Sequence, residues 1–144
     1  MNLSVEKQYQ ELAFYTLSLQ DKTFIHQYIV DAYTAQTADS DTKPIAIVFA
    51  LVGLYLCVEK NYSGRQIQLI HIQMSKGKKI FPMIILPIKR GDVNVADVLD
   101  KHAGPERDEM IKKWCVSVWG AYNNSRETII DIFEQEIGGL KGNG

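Results

Sequence analysis

Apolar residues recur at helical spacing along most of the chain, and short polar stretches separate the segments. The first segment predicts a helix over Ser4–Leu19 that Ser4 caps. After a short break, Asp21 is expected to cap a second helix that ends near Gln36. This repeated helical spacing favours an all-α fold.

Residues Ile45–Val58 form the most apolar segment, with Gly53 as the only residue in it that is not hydrophobic. Pro44 fits the first turn of this helix, where its missing N–H is harmless. A span of 14 residues is shorter than the roughly 20 needed to cross a membrane. A helix that is hydrophobic on all sides belongs at the centre of a bundle, and Gly53 is expected to allow close helix contact.

The middle of the chain allows two interpretations. Ile67, Ile70 and Met74 fit one helical stripe, which favours a helix over about 65–75. Alternating residues over 70–74 and β-branched residues over 80–86 also fit a β-hairpin. With the helix, residues 80–88 are expected to form a short extended strap across the bundle, because prolines bracket its apolar run.

Two further helices are expected near the end of the chain. Asn94, with Asp97 three residues later, is expected to cap a short helix that ends near His102. Pro105 opens the last helix, and Gly138-Gly139 is expected to end it. The complete prediction is one domain over residues 1–144, an all-α compact bundle around a central apolar helix at 45–58.

Composition and charge narrow the function classes. Hydrophobic residues make up 46% of the chain and charged residues 23%, with a net charge of −1. This balance does not favour nucleic acid or membrane as a partner. The start of the chain lacks an apolar signal segment, and Cys57 and Cys115 resemble buried free thiols. We therefore expect a cytoplasmic protein.

The segment 24–36 holds the most unusual set of polar residues. His26 and Tyr33 share one helical stripe with Gln36 at its edge, whereas Asp31 lies about 140° from His26. If both His26 and Asp31 are buried, each needs a partner from another helix. The segment predicts a polar pocket in which His26, Asp31, Tyr33 and Gln36 bind a small molecule or a protein partner.

A metal site is the alternative for the same region. Helical bundles build such sites from histidines and carboxylates on facing helices. His26, Glu59 and His71 are the candidate ligands for a divalent metal such as zinc, in a metal-dependent enzyme. The sequence lacks a Gly-rich phosphate loop, a nucleophile elbow and a zinc motif on a single helix. The chemistry, and whether the protein is an enzyme, therefore stay open, and the main hypothesis includes no cofactor.

Trp114 and Trp119 cannot both lie on one narrow helical stripe, because they are five residues apart. One is expected to face the core. The other is expected to mark a partner surface, such as that of a homodimer, or a pocket mouth. A third hypothesis is that the polar residues only fix the register of the helices.

The segment also carries a resemblance. The pattern H-Q-x-x-V-D-A-Y-x-x-Q over 26–36 resembles the signature of an uncharacterised bacterial family known only as a domain of unknown function. Further similarity includes 50–59 and 114–119, and it extends over roughly 24–130. The resemblance implies a stand-alone cytoplasmic helical domain and no particular activity. A fold-level analogy to DinB-type metal-binding bundles is weaker, because their histidine spacing is absent.

Overall fold

The computed structural model describes residues 4–77 and 79–141, and these residues form seven α-helices and no strand. The all-α prediction is confirmed, and the β-hairpin alternative over 65–86 is wrong. The helices are Val5–Ser18 (α1), His26–Thr37 (α2), Pro44–Lys60 (α3), Gly64–Met74 (α4), Val95–Leu99 (α5), Pro105–Ala121 (α6) and Arg126–Lys141 (α7), with a 3₁₀ turn at Asn123–Ser125.

Helix α3 lies at the centre of the bundle, as its uniform hydrophobicity predicts. It packs against α2, α4, α6 and α7, and its residues from Ala50 to Cys57 are all buried. Cys57 and Cys115 are both buried free thiols, as expected. The core therefore forms around one helix, and every helix that touches it needs only one apolar face.

The capping signals predict most helix starts correctly. Ser4 accepts a hydrogen bond from the backbone N–H of Lys7 at the start of α1. Asn94 and Asp97 form the predicted capping box of α5, although this helix ends at Leu99 rather than near His102. Proline occupies the first turn of both α3 and α6.

The start of α2 differs from the prediction. Asp21 accepts a hydrogen bond from the backbone N–H of Ile25, but the helix begins only at His26. Phe24 has a positive φ of 55°, and its carbonyl lies against Gly64 at the start of α4. A Cβ on Gly64 would overlap the Phe24 carbonyl oxygen and lie 2.7 Å from the carbonyl carbon. The contact between Phe24 and α4 therefore shifts the start of α2 from the region of Asp21 to His26.

The C-terminal part of the chain forms two helices where one was predicted. The chain turns at Asn123–Ser125, between α6 and α7. The prediction that Gly138-Gly139 ends the last helix is wrong, because α7 continues to Lys141. Residues 142–144, which follow this helix, lie outside the described residues.

The segment 79–88, called the strap below, has no regular secondary structure. It runs antiparallel to α7, from Glu136 beside its first residues to Ser125 beside its last. Phe81 packs edge-on against Phe49 of α3, with ring centroids 6.0 Å apart. The side chain of Ile84, in the middle of the strap, is buried. The predicted strap across the bundle is therefore present.

Candidate functional site

Asp31 is the most deeply buried ionisable side chain of the predicted pocket, with 3% of its surface exposed. Its Oδ1 accepts a hydrogen bond of 3.1 Å from the amide of Gln27, one turn earlier on the same helix. Its Oδ2 is buried and has no hydrogen-bond partner among the described residues. Burial raises the pKa of Asp31 well above its ordinary value, which favours the neutral acid.

Gly53 provides the space for this carboxyl group. A Cβ at residue 53 would overlap Asp31 Oδ2 and lie 2.5 Å from Asp31 Cγ. The close helix contact expected at Gly53 is therefore a contact between the α3 backbone and a buried carboxyl group from α2. The expectation that another helix supplies the hydrogen-bond partner of Asp31 is wrong, because Gln27 supplies it.

His71 continues the same polar chain. The Gln27 amide nitrogen lies 3.4 Å from His71 Nδ1, and His71 Nε2 lies 2.8 Å from the carbonyl oxygen of Phe49. The carbonyl can only accept, so Nε2 carries the proton and Nδ1 accepts from the amide. Burial lowers the pKa of His71, which favours this neutral ring. Asp31, Gln27 and His71 thus form one internal network between α2, α3 and α4.

His26 lies on the opposite side of α2 and contacts α1. Its Nδ1 is 2.9 Å from the hydroxyl oxygen of Thr16, which lies 3.1 Å from the carbonyl oxygen of Ala13. If Thr16 donates to that carbonyl, it accepts from His26 Nδ1–H, and Nε2 keeps the lone pair. Burial lowers the pKa of His26. A partner from another helix is present, as the sequence predicts.

Tyr33 is half-buried and stacks on Tyr9 of α1. The ring centroids are 3.9 Å apart and the planes differ by 9°. Burial raises the pKa of Tyr33, with a smaller contribution from the charge of Glu6. The stack joins α1 to α2 on the same side as His26.

Gln36 uses both ends of its amide inside the protein. Its Nε2 donates to the carbonyl oxygens of Arg90 and Val93, at 3.2 and 2.7 Å, and its Oε1 accepts from Trp114 Nε1 at 2.9 Å. Arg90 in turn donates to the carbonyls of Gln36 and Ala38 at the end of α2. This amide holds the segment after the strap against α2 and α6.

We expect Gln36→Met to lower the free energy of unfolding by about 2–3 kcal/mol, because the variant keeps the length of the side chain and removes three hydrogen bonds. Urea denaturation followed by circular dichroism measures the change. Gln10→Met, at an exposed position of α1, is the matched control and should change stability by less than about 0.5 kcal/mol. Equal losses of stability at both positions would contradict the conclusion that the Gln36 amide holds the segment after the strap in place.

Glu59, predicted as a metal ligand, forms an ion pair at the end of α3. Its two oxygens accept from Arg126 Nε and Nη2 at 2.8 and 2.6 Å, and Oε2 also accepts from Trp119 Nε1 at 2.7 Å. The hydrogen bonds from Arg126 lower the pKa of Glu59. Both carboxylate oxygens are thus occupied by contacts that join α3 to α6 and α7.

The three proposed metal ligands do not meet. His26 contacts α1, His71 contacts α3, and Glu59 contacts α6 and α7. Within residues 4–77 and 79–141, no group of three or more His, Cys, Asp or Glu side chains is arranged to hold a metal ion. The spacing of these residues along the chain carried no information about the distances between helices.

The two tryptophans correct a prediction. Trp114 is fully buried and Trp119 is 6% exposed, so neither ring marks a surface. Each indole N–H donates to a polar side chain, Gln36 and Glu59 respectively. The structure joins these two tryptophans, five residues apart on α6, to two of the predicted site residues through polar contacts.

Residues 6–123 match the family model of DUF5946, a family of unknown function. The chain belongs to this family. No curated protein and no solved structure matches it. The predicted resemblance to a domain of unknown function is therefore confirmed. In this DUF5946 protein, the matched span includes all the predicted site residues and the strap. None of the helices in the described ranges has the length and hydropathy of a membrane span.

The strap of this DUF5946 protein carries an exposed apolar surface that sequence reasoning missed. Ile80 and Ile88 are fully exposed, Met83 is 85% exposed and Ile85 is 88% exposed. In the sequence this segment is only an apolar run between two prolines, and such a run does not show that Met83 and Ile85 face outward whereas Ile84 is buried. The sequence predicts that this run packs across the bundle, but only some of its side chains face inward.

Proposed function

We propose that this protein binds another protein, and that the strap receives an extended segment of that partner. The observation that carries the proposal is the exposure of Ile80, Met83, Ile85 and Ile88 within nine residues. Clustered exposed apolar side chains of this kind are a common feature of interaction sites. The proposal favours the protein-partner branch of the sequence hypothesis and moves the binding surface from the polar segment of α2 to the strap.

The backbone of the strap supports strand addition as the mode of binding. Among the described residues, no backbone N–H or C=O of 79–86 forms a hydrogen bond with the rest of the protein. Pro82 and Pro87 hold the residues before them in extended conformations. An extended segment with unpaired backbone groups is a template for another strand, which supplies the missing hydrogen bonds.

Grooves on both sides of the strap supply places for partner side chains. A groove of about 330 Å³ lies between residues 82–87 and the start of α7. A second groove, also of about 330 Å³, lies between residues 79–82 and the C-terminal half of α7. A smaller groove of about 100 Å³ lies on the other side, against the α2–α3 turn. In strand addition, such pockets select the side chains of the added peptide.

The polar residues that the sequence predicted to form a site leave few groups for a ligand. Gln36 and Glu59 use their polar atoms in internal contacts. His26 Nε2 and the hydroxyl of Tyr33 have no partner among the described residues, so these two groups remain for the alternative of a small-molecule site. The metal alternative lacks convergent ligands in the described ranges. The strap therefore supports a partner-binding function better than α2 supports either alternative.

Photo-crosslinking tests the proposal. A photoreactive amino acid placed at Ile85 in the native host should give one discrete adduct whose mass and cross-linked peptide identify a protein. The same amino acid at Leu69 is the matched control, because Leu69 is an exposed apolar residue of α4, 57% exposed and away from the strap. A Met83→Thr substitution in the Ile85 crosslinking chain should remove the adduct, since it deletes apolar contact area without altering the core.

Two results would contradict the proposal. Equal crosslinking from Ile85 and Leu69 would mean that the strap makes no specific contact. An adduct that survives Met83→Thr in unchanged amount would mean that the apolar surface of the strap does not bind the partner. Circular dichroism should give the same melting temperature for the substituted and unsubstituted proteins, because Met83 lies 85% exposed.

A further inference from the structure

The segment around the strap has a charge unlike that of the whole chain. Residues 76–90 contain five basic residues and no acidic residue, whereas the net charge of the 144 residues is −1. The basic residues stand at the two ends, and the nine residues between them are apolar or proline. An apolar centre with positive ends is thus the chemical pattern of this surface.

The positive ends are only partly neutralised within the protein. Lys79 pairs with Glu136 at 2.5 Å, and Arg90 donates to backbone carbonyls at the end of α2. Lys76 and Lys89 are exposed and form no ion pair with another described residue. Among the described residues, Lys76 and Lys89 therefore each leave an unpaired positive charge beside one end of the strap.

We infer that the partner of the strap is an extended peptide segment with an apolar, β-branched centre and acidic residues at both ends. The inference rests on the proposed function and names the chemistry of the partner. The apolar centre covers Met83 and Ile85, the peptide backbone pairs with the open backbone of the strap, and the acidic ends lie beside Lys76 and Lys89. Complementary charges of this kind mainly set specificity and association rate.

A second copy of this chain fits the surface poorly. An antiparallel pair of straps centred on Ile84 would place Lys79 of one copy, whose charge Glu136 partly neutralises, opposite Lys89 of the other. A parallel pair in register would place each lysine opposite itself. Like charges in directly opposed positions destabilise strand pairing, and lysines at an exposed edge are a common device against self-association. The positive charges therefore disfavour pairing between the straps of two copies of the chain.

An anionic membrane surface would complement the positive charges of the strap, but it would not supply hydrogen bonds to the unpaired backbone groups. Inserting Met83 and Ile85 into hydrocarbon would take the unpaired N–H and C=O groups of the strap out of water. Each unsatisfied backbone group in hydrocarbon costs several kcal/mol, so irregular segments do not enter that region. A peptide strand supplies hydrogen bonds to these groups, which favours the peptide over the membrane.

Selection from a displayed library of random peptides tests the inference. Peptides of about twelve residues are long enough to span the strap. The intact protein selects, and a Met83→Thr/Ile85→Thr variant removes peptides that bind elsewhere. We expect the remaining peptides to carry aspartate or glutamate at both ends of a β-branched centre. Their binding should weaken by about tenfold or more when the Debye length falls from about 10 Å at 0.1 M salt to about 3 Å at 1 M.

Charge reversal at the ends of the strap gives the decisive comparison. In a Lys76→Glu/Lys89→Glu variant, the selected peptides should change from acidic to basic ends and keep the same apolar centre. Lys7→Glu/Lys101→Glu is the matched control, since it changes the net charge equally at exposed positions outside the strap. This control should select the same acidic peptides as the unsubstituted protein.

The outcomes separate this inference from the proposed function. Peptides that depend on the strap but have no charge preference, or that do not change with charge reversal, overturn the inference and leave the proposed function intact. Crosslinking that fails at Ile85 overturns both. Strap-dependent sedimentation with phosphatidylserine vesicles, without peptide selection, assigns the surface to membranes instead. A strap-dependent dimer in sedimentation equilibrium assigns the surface to a second copy of the chain. Either of these two results overturns the inference that the partner is a peptide.

Discussion

Gly53→Ala is expected to lower the free energy of unfolding by about 2–3 kcal/mol, because the added methyl group overpacks a buried site. The new Cβ would overlap Asp31 Oδ2, and Asp31 is buried, with only 3% of its surface exposed. In most helix interiors the same change stabilises by about 1 kcal/mol, since alanine restricts the unfolded chain more than glycine does. The sign of the effect therefore reports the contact with Asp31.

A double-mutant cycle tests this interpretation. In an Asp31→Ala background the overlap is absent, so Gly53→Ala should become neutral or stabilising by up to about 1 kcal/mol. Gly138→Ala is the control for helix propensity alone, because a Cβ at that exposed position of α7 meets nothing within 4 Å. Urea denaturation measures all variants. If Gly53→Ala had the same effect in both backgrounds, the carboxyl group would not be what Gly53 accommodates.

The second large effect concerns the pH dependence of stability. The folded state raises the pKa of Asp31 because burial penalises the charged form, whereas the ordinary value is about 3.8. Between that value and the higher folded value, the native state binds the proton more tightly than the unfolded state does. Stability from this group is therefore fully present below about pH 3.8 and is lost as the pH rises through the folded pKa.

Asp31→Asn should remove this loss, since the amide cannot ionise and keeps an oxygen for the Gln27 hydrogen bond. The variant and the natural protein should have similar stability near pH 4 and diverge as the pH rises. At pH 8 the variant should be more stable by about 1–3 kcal/mol, the usual penalty for a buried polar group without a partner. Urea denaturation across pH measures the divergence.

The control for this pH profile is Asp100→Asn, because residue 100 is exposed at the end of α5. Its stability should follow that of the natural protein at every pH. Parallel profiles for Asp31→Asn and the natural protein would mean that Asp31 is ionised in the folded state and has a partner for its charge.

The helical architecture could be predicted from the sequence because its signals are local. The uniform hydrophobicity of 45–58 places that helix in the centre, and the Asn94/Asp97 box fixes the start of α5. The start of α2 could not be predicted, because it depends on the approach of Gly64 to the Phe24 carbonyl. That contact joins residues forty positions apart and overrides the capping potential of Asp21.

The polar site was harder to predict, because helical periodicity gives the face of a residue but not its partner. His26 and Asp31 were correctly placed on different faces of α2. The sequence did not reveal that Gln36 is occupied by Trp114 and the 90–93 segment, or that Glu59 is occupied by Arg126. These pairings depend on distances between helices, and the periodicity of a single sequence does not reveal those distances.

The strap is fastened at both of its ends. Lys79 holds the first end to α7, and Arg90 holds the second end to the last turn of α2. Fixing the backbone of one residue costs roughly 1–2 kcal/mol in conformational entropy. For the strap, this cost is already included in the folding of the bundle. In the proposed complex, binding would therefore begin from an ordered template, and the partner would have only its own chain to immobilise. Release of either fastening would lower affinity without removing a single contact at the binding surface.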